Sequence, residues 1–523
     1  MARTPLACML QKAYATAHIE MERQKQNGQV SMVSENAPVN TKRDYRHTAD
    51  FKGKVKNQPR IVIVGAGLAG LTCAYRLKQA GISSVVYEAA ERVGGRCWTR
   101  RDTFKNGQIV ERGGELIDSD HTEIRNLAQE FGLVLDDLLE AETPGTEPFY
   151  FFDGSPYSLE NATNDFLEIY PQLQKDLAEV GDITLYNHYT ERAFELDHLS
   201  IVDYINKIVP GGIDSKFGQL LSVAYTIEYG ADAGEQSALN LLFLLGSAQK
   251  GPLRLFGNSD ERYRIKGGND QLTELLAKEL KGQIKLHSEL IRIEQNKNKV
   301  KLVFRNDEKE WEVFADKVIM TIPFSILKAI DYKNAKFNAL KQIAIEETGM
   351  GINTKLHVQF KNRFWQELGN NGDTFSDTGY QNTFESSRAQ QGKSGILVDY
   401  TGAETAAILN PLTDKQLKKI TEGVLDKLEP VLQGSKKNWS GLSTIDHWLS
   451  NTWSKGSYSF WKVGQYTTLA GVAGEREGNI FFAGEHTSIN YQGYLNGAVE
   501  SGERVSQEVL DDFIRKGKKV KGN

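Results

Sequence analysis

The feature that most constrains the fold of this sequence is a glycine-rich turn between two apolar segments. Arg60–Val64 contains four consecutive apolar residues, which is typical of a strand buried on both faces in a parallel sheet. Leu68–Ala80 follows with helical spacing. Between them, Gly65, Gly67 and Gly70 allow a tight turn, a close backbone approach to a pyrophosphate, and packing of the helix on the strand. The pattern predicts a dinucleotide-binding α/β unit.

An acidic residue completes this unit. Ser84–Tyr87 predicts a second strand, and Glu88 stands at its end, 18 residues past Gly70. A carboxylate there accepts hydrogen bonds from a ribose diol, and Ala89 follows it at the strand end. Leu68 and Ala69 begin the helix, so its positive N-terminal end faces the phosphates.

A second glycine-rich loop, Glu91–Arg96, comes directly after the acid. Gly94 and Gly95 permit another close backbone approach, and Arg96 is a candidate to neutralise a pyrophosphate or frame a flavin. A simple NAD enzyme does not need this second loop. The sequence therefore favours FAD over NAD.

Two later segments extend the cofactor site. Gly113, Gly114 and Glu115 follow a predicted strand, and a glycine pair there can pass the backbone under an isoalloxazine ring. Near the C-terminus, a predicted strand ends in Gly484 and Glu485, whose carboxylate can reach ribityl or ribose hydroxyls. A helix then begins near Gly493, and its dipole can stabilise the anionic reduced flavin. The chain must close back on itself to join these segments.

Composition excludes several classes of protein. The formal charge of -5, from 63 basic and 68 acidic residues, gives no general attraction to nucleic acid or anionic lipid. Three widely spaced cysteines provide neither a disulfide framework nor a zinc site, and no metal is predicted. No apolar run approaches the roughly 18 residues of a membrane helix, and no secretion signal is seen. We therefore expect a cytoplasmic protein.

The expected fold class is α/β, with a Rossmann-like FAD-binding domain of the two-dinucleotide-binding type and a discontinuous α+β substrate domain. Residues 1–55 are expected to form a helix and a flexible linker. The FAD domain is assigned to 56–115, 260–330 and 450–515, and the substrate domain to 116–259 and 331–449. A helix-rich stretch is expected over 121–249 and a final helix over Gly493–Lys516. The further predicted strands are Gln108–Val110, Ile284–Glu294, Lys299–Phe304, one at Val313, Lys317–Thr321, Lys355–Phe360 and Ile480–Ala483.

In this order, the segments resemble the flavin amine oxidase family of monoamine oxidases, polyamine oxidases and L-amino-acid oxidases. Arg262–Leu272 and Asn353–Lys355 are similar to two further segments of that family. The resemblance implies hydride transfer from a C–N bond to flavin N5, with oxygen reoxidising the flavin to give hydrogen peroxide. The residues assigned to cofactor binding are Gly65, Gly67, Leu68, Ala69, Gly70, Glu88, Ala89, Gly94, Gly95, Arg96, Gly113, Gly114, Glu115, Leu290, Trp453, Gly484, Glu485, Gly493, Tyr494, Leu495 and Ala498.

The resemblance also nominates catalytic residues. Lys355 would hold a water against flavin N5 and help oxygen react. Tyr458 and Tyr494 would form the two walls of an aromatic cage that orients the substrate nitrogen. Trp453 would pack near the flavin.

Two positions depart from the family pattern. Ser457 replaces the cysteine to which monoamine oxidases attach FAD, so the cofactor is expected to be non-covalent. Gly114 is followed by Glu115 rather than by the arginine with which many L-amino-acid oxidases grip the substrate carboxylate. The departure favours a small amine as substrate, with Arg254 or Arg388 as the arginine that could serve an amino acid.

Other polar residues have weaker assignments. Four acids could select a second positive charge on the substrate, although such side chains are more often solvated: Asp118, Asp120, Glu228 and Asp232. His486 is a poor candidate for a base, because amine oxidation by hydride transfer needs only a neutral amine.

Three alternatives stay open at this point. The first is an L-amino-acid oxidase on the same scaffold. The second is a C–C desaturase, against which Lys355 and the paired tyrosines argue. The third is a flavin-binding protein without catalytic activity. A homodimer is possible.

Overall fold

The four apolar residues Ile61–Val64 form a strand in which every side chain is buried. The computed structural model describes residues 59–520, with side chains described for 59–513. The helix after the glycine turn runs over Leu68–Gln79 and buries eight of its residues against this strand and its neighbours. The second strand, Ser84–Tyr87, pairs in parallel with the first. The predicted strand–turn–helix–strand unit is therefore present.

The strands, in chain order, are β1 (Ile61–Val64), β2 (Ser84–Tyr87), β3 (Thr99–Arg100), β4 (Val110–Glu111), β5 (Leu135–Asp137), β6 (Glu147–Phe152), β7 (Ser155–Tyr157), β8 (Tyr263–Ile265), β9 (Ile284–Lys285), β10 (Glu289–Gln295), β11 (Val300–Arg305), β12 (Glu310–Ala315), β13 (Lys317–Met320), β14 (Asp331–Asn334), β15 (Gly349–Met350), β16 (Asn353–Phe360), β17 (Asn370–Ser376), β18 (Asn382–Glu385), β19 (Gly395–Gly402), β20 (Trp439–His447), β21 (Ser459–Phe460) and β22 (Ile480–Phe482).

The α-helices are α1 (Leu68–Gln79), α2 (Thr122–Glu130), α3 (Leu159–Val180), α4 (Glu191–Asp197), α5 (Ile201–Ile208), α6 (Lys216–Tyr229), α7 (Ala238–Leu245), α8 (Asp270–Glu279), α9 (Phe324–Leu327), α10 (Ala339–Glu347), α11 (Phe364–Glu367), α12 (Ala403–Ile408), α13 (Asp414–Leu428), α14 (Ser435–Asn438), α15 (Tyr466–Leu469) and α16 (Leu495–Val520).

A five-stranded parallel sheet organises the cofactor-binding region. Its order is β22-β13-β1-β2-β9, so strands from distant parts of the chain meet beside β1. Helices α1 and α16 pack on one face through residues such as Leu71 and Val505. The carboxyl ends of β1 and β2 lead into the glycine turn and Glu88, where an open α/β sheet binds its ligand.

A seven-stranded sheet forms the second region, in the order β20-β16-β19-β18-β17-β6-β7. Helices α3 to α7 supply a separate apolar core that includes Phe166, Tyr204 and Phe217. The stretch 121–249 is rich in helix as predicted, but it also contains β6 and β7. The prediction missed this hairpin, although its turn, Asp153-Gly154, is a typical hairpin turn in which both residues have a positive φ. It also missed the pairing of β6 with β17, which lies more than 200 residues further along.

The predicted strand Ile284–Glu294 is wrong as a single element. It is two strands in two sheets: β9 joins the parallel sheet, and β10 pairs with β11 in a four-stranded sheet. His287 lies between them with a φ of 51°, a left-handed conformation that ends an extended run.

Two other element boundaries differ from the prediction. The last helix begins at Leu495 rather than Gly493, because Gly493 has a φ of 88° and donates its N–H to Glu485. The strand expected over Gln108–Val110 lies at β4, and the Gln108 side chain instead donates to the carbonyl of Ser394 at 2.8 Å.

Residues 59–520 all belong to one compact unit. The boundaries proposed between an FAD domain and a substrate domain stay a prediction. The helix and linker expected in residues 1–55 lie outside the described residues. Among the helices described here, none combines the length and apolar character that crossing a membrane requires.

Candidate active site

One large cavity runs from the glycine turn to the C-terminal tyrosines, with a volume of about 1590 Å³. Every residue predicted for cofactor binding or catalysis lines it except Gly70. A Cβ on Gly70 would lie 2.1 Å from the carbonyl oxygen of Gly65, so this glycine lets the helix pack on the turn. The chain thus brings segments more than 400 residues apart to one cavity.

The nucleotide end of the cavity has room and dipoles for an anion. Gly65 has a φ of 108°, and a Cβ on Gly67 would meet nothing within 4 Å. The N-terminus of α1 has neither a side-chain cap nor an acid in its first turn, so its positive end is open to a ligand. Glu88 accepts hydrogen bonds from the N–H groups of Ala66 and Ala90 at 2.7 and 2.8 Å, which fixes its carboxylate at the end of β2. These residues fit the diphosphate and ribose of a dinucleotide.

Arg96 and Glu485 join the second loop to the C-terminal segments. The Arg96 guanidinium donates to Glu485 at 2.8 Å and to the carbonyl of Ser457 at 2.7 Å. Glu485 also accepts from the N–H and hydroxyl of Ser459 and from the N–H of Gly493. Burial alone would raise the pKa of Glu485, but Arg96 outweighs it and holds this pKa below its usual range.

These contacts occupy the four acceptor positions of the Glu485 carboxylate. Its proposed contact with a flavin or ribose hydroxyl therefore requires one protein partner to give way, and that contact stays a prediction.

Lys355 lies in a buried ion-pair network beside the glycine pair Gly113 and Gly114. Its ammonium donates to Glu115 at 2.7 Å and to the carbonyls of Gly113 and Glu111 at 2.9 and 3.2 Å. Glu115 accepts in addition from Arg264 at 3.3 Å. All three hydrogens of Lys355 have protein acceptors, so holding a water, as the resemblance implies, requires one of them to be released.

Tyr458 and Tyr494 meet at the end of α6. The hydroxyl of Tyr494 lies 3.3 Å from the carboxylate of Glu228, and that of Tyr458 donates to the backbone carbonyl of the same residue. Tyr458 also shares a hydrogen bond of 2.8 Å with Tyr400. Gly493, next to Tyr494, has a φ of 88°, a left-handed conformation that favours glycine.

The structure separates the four candidate acids. Glu228 lines the cavity, and burial raises its pKa to about 7. Asp118 is buried just outside, where it accepts from Ser259 at 2.6 Å. Asp120 and Asp232 are exposed and do not line the cavity. Of these four, only Glu228 is placed to meet a substrate.

The two candidate arginines also differ. Arg388 lines the cavity but pairs with Glu142 at 3.1 Å and with Asp373 at 3.6 Å. Arg254 is exposed, lines the cavity, and makes no ion pair with any residue that the structure describes. Arg254 is therefore the arginine better able to take a substrate carboxylate.

His486 and Trp453 occupy different environments. His486 is buried against Phe324, does not line the cavity, and has its pKa lowered to about 4 by burial. Trp453 lines the cavity with 38% of its surface exposed, so it lies at the rim.

Several cavity residues could not be found from the sequence. Tyr400 stands opposite Lys355 in the adjacent strand, a pairing that only the β16–β19 register creates. Asp373 comes from β17, and burial raises its pKa to about 6. Glu261 has a φ of 49°, a conformation uncommon outside glycine, and its N–H donates to Asp118 at 2.8 Å. Only Glu261 had a local signal, since it adjoins the segment Arg262–Leu272.

A glycine turn of the dinucleotide-binding type, an acid at the end of the second strand and tyrosines around the same cavity are the features expected of a flavoprotein oxidoreductase. The model of the family described as "Flavin containing amine oxidoreductase" matches residues 68–510. The chain belongs to this family. The α/β FAD-binding fold, the flavin cofactor and the assignment as an amine oxidoreductase are confirmed.

The names of individual relatives include both of the activities considered above. The chain is 27% identical to a putative L-amino-acid oxidase, YobN, of Bacillus subtilis (strain 168), over 86% of this chain and 94% of that protein. It is 25% identical to a flavin-containing amine oxidase of Danio rerio, over 86% of this chain and 85% of that protein.

Two solved structures are similar in fold. Putrescine oxidase bound to putrescine aligns with a TM-score of 0.74 at 22% identity, over 87% of this chain and 99% of that one. Cyclohexylamine oxidase from Brevibacterium oxydans IH-35A aligns with a TM-score of 0.75 at 19% identity, over 87% of this chain and 100% of that one.

Proposed function

We propose that the chain holds FAD without a covalent bond and oxidises the C–N bond of a small amine with oxygen as the acceptor. In balance, R–CH2–NH2 + O2 + H2O gives R–CHO + NH3 + H2O2. The bound flavin supplies the two-electron chemistry. The observation that carries the proposal is the chamber at the end of the cofactor cavity, where Tyr458, Tyr494 and Glu228 meet.

The chamber favours an amine over an amino acid. Two aromatic rings and a carboxylate attract a positively charged nitrogen. Arg388, which could have gripped a substrate carboxylate, already pairs with two acids. Asp373 and Glu142 would in turn repel a carboxylate placed beside them.

An L-amino acid is the second candidate. The observation in its favour is Arg254, a cavity-lining arginine for which the described residues offer no ion-pair partner. The relatives named above support both candidates, since one is named an amine oxidase and another a putative L-amino-acid oxidase.

The deciding experiment measures which compound bleaches the flavin without oxygen. Benzylamine, cyclohexylamine and putrescine are compared with L-leucine, L-phenylalanine and L-lysine at equal concentration. We expect amines to bleach the flavin at least tenfold faster, since an amino acid also brings an unmatched carboxylate into an acidic chamber. Bleaching by amino acids alone would reject the amine proposal.

Arg254→Met separates the two candidates further. For an amine substrate the variant should behave as the parent does, within about twofold. For an amino acid it should lose a charge-assisted contact of about 1.5–3 kcal/mol, a loss of about 10- to 100-fold in affinity. Lys250→Met, which removes an exposed charge from the same loop, is the matched control.

The non-covalent cofactor is tested by acid precipitation. The hydroxyl of Ser457 donates a hydrogen bond to the side-chain oxygen of Asn353 at 2.6 Å. Cys97 lines the cavity, but burial raises the pKa of its thiol and keeps it in the unreactive form. We expect precipitation to release all the yellow colour. Colour left on the protein would contradict this, and its loss in Cys97→Ser would locate the bond.

A cytoplasmic location and a homodimer also remain proposals. Fractionation of cells and sedimentation of the purified protein test them.

A further inference from the structure

Glu228 occupies the last turn of α6 and faces the cavity where the tyrosines meet. The end of this helix is fixed on the strand that carries Lys355, because Asn353 donates its side-chain N–H to the carbonyl of Ile227 at 2.7 Å. Gly230 ends the helix with a φ of 65°. The backbone at Glu228 is therefore held against β16, and its carboxylate meets the hydroxyl of Tyr494 at 3.3 Å.

The surroundings of Glu228 disfavour its charge. Burial is the largest cause of its raised pKa, and the charge of Asp118 adds to it. No described lysine or arginine lies within ion-pair distance of it. The charged and titratable groups that face it are Asp118, Glu261, Tyr400, Tyr458 and Tyr494 from other elements, and Tyr225 and Tyr229 from its own helix.

We propose that Glu228 binds the ammonium group of the substrate and takes its proton before the C–N bond is oxidised. In this step one N–H bond of the substrate breaks, an O–H bond forms on the carboxylate, and the electron pair stays on nitrogen. No oxidant takes part, so atoms and charge balance. The inference rests on the proposed amine oxidase function and adds a residue that prepares the substrate for it.

A carboxylate that accepts a proton is useful here because the substrate amine has to lose one before it is oxidised. An alkylamine resembles the lysine side chain, whose pKa is about 10.4, so it enters mostly as an ammonium ion without a free electron pair. Transfer of its proton to an ordinary glutamate is unfavourable by about a millionfold. A carboxyl whose pKa is about 7 reduces that factor to about two-thousandfold. Glu228 is thus far better matched to the proton than an exposed glutamate.

The direction of the pH effect follows from the raised pKa. Below about pH 7 Glu228 is mostly protonated, so it neither attracts an ammonium ion nor accepts a proton. Above about pH 7 it is a carboxylate and does both. Both binding and oxidation should therefore rise with pH through this region.

The first test is the binding of tert-butylamine to the FAD-loaded protein, followed by the change in flavin absorbance. This amine has no hydrogen on the carbon attached to nitrogen, so it cannot be oxidised. In the parent protein its affinity should rise by up to tenfold per pH unit below about pH 7. In Glu228→Gln the affinity should be about 10- to 100-fold lower and independent of pH in this range.

The second test is the anaerobic bleaching of the flavin by benzylamine. The parent rate should level off above about pH 7. In Glu228→Gln the rate should keep rising towards the pKa of the substrate amine itself, because only the neutral amine can then react. Glu228→Asp should restore the rise of the bleaching rate with pH below about pH 7. The exposed Glu235→Gln is the matched control.

An unchanged pH profile for both binding and bleaching in Glu228→Gln would overturn the inference. A failure of the proposed amine oxidase function would give a different result. If no amine bleaches the parent flavin, the amine oxidase proposal falls, while the tert-butylamine titration still reports whether Glu228 binds a cation. If Glu228→Gln does not retain FAD, Glu228→Asp is compared with the parent instead. A bleaching rate in Glu228→Asp that does not rise with pH below about pH 7 also overturns the inference.

Discussion

Replacing Glu115 with glutamine should lower the free energy of unfolding by about 3–5 kcal/mol, because it leaves buried cations without their counter-charge. Glu115 is 5% exposed. It pairs with Lys355 at 2.7 Å and with Arg264 at 3.3 Å, and both cations are almost completely buried. The hydroxyl of Ser386 donates to it as well, at 2.7 Å.

Without the charge of Glu115, the two buried cations cannot be solvated by water as the cation of a surface ion pair would be. Arg264 would keep the carbonyl of Ser386 at 2.6 Å and that of Arg388 at 3.1 Å, but neither carries a full negative charge. The amide of glutamine keeps the size of the side chain, so the effect reports on charge rather than on a cavity. Urea unfolding of the FAD-loaded protein, followed by intrinsic fluorescence and by flavin absorbance, measures it.

An exposed ion pair is the matched control for this variant. Glu312 pairs with Lys301 at 3.1 Å and is 53% exposed, so Glu312→Gln should cost less than about 1 kcal/mol. A loss below 1 kcal/mol for Glu115→Gln as well would mean that water reaches the network. In the Lys355→Met background the cost of Glu115→Gln should fall, because one of the two stranded cations is gone.

Glu115 also shows how far the sequence alone could reach. Its place after a glycine pair predicted a residue of the cofactor cavity, and it lines that cavity. Its partner Lys355 is 240 positions away, and the contact depends on how the seven-stranded sheet lies against the glycine loop. A local pattern predicts such a position, but it does not predict the ion pair.

The same distinction between local patterns and tertiary contacts holds across the molecule. The turn at Gly65 and the acid at Glu88 were predictable, because one strand–helix–strand unit contains both of them. The β6–β17 pairing and the contact between Tyr400 and Tyr458 were not, because each joins residues that only the tertiary fold brings together. Glu228 could be nominated as an acid, while its place between two tyrosine hydroxyls needed the structure.

Replacing Lys355 with methionine should slow the reaction of the reduced enzyme with oxygen by about a hundredfold, while FAD stays bound. Oxygen gains negative charge as it is reduced, and a fixed ammonium group stabilises that charge. The Lys355 ammonium is tethered to the carbonyl of Gly113 at 2.9 Å, in the loop that lines the cofactor cavity. Methionine keeps much of the length of the side chain and removes the charge.

The stability of this variant should fall by less than that of Glu115→Gln. Glu115 still has Arg264 and Ser386 as partners when Lys355 is gone, so its carboxylate is not left alone. Rapid mixing of the anaerobically reduced protein with oxygenated buffer, followed by the return of flavin absorbance, gives the rate constant. Fluorescence titration of the apoprotein with FAD gives the affinity, which we expect to change by less than about tenfold.

Lys361→Met is the matched control, because Lys361 is exposed just past the end of the same strand and does not line the cavity. It should leave the oxygen rate constant unchanged. An equal rate constant in Lys355→Met would remove Lys355 from the reaction with oxygen and leave it a partner of Glu115 alone. A loss that follows FAD release rather than the oxygen step would lead to the same conclusion, since the ion-pair network would then serve only to hold the glycine loop in place.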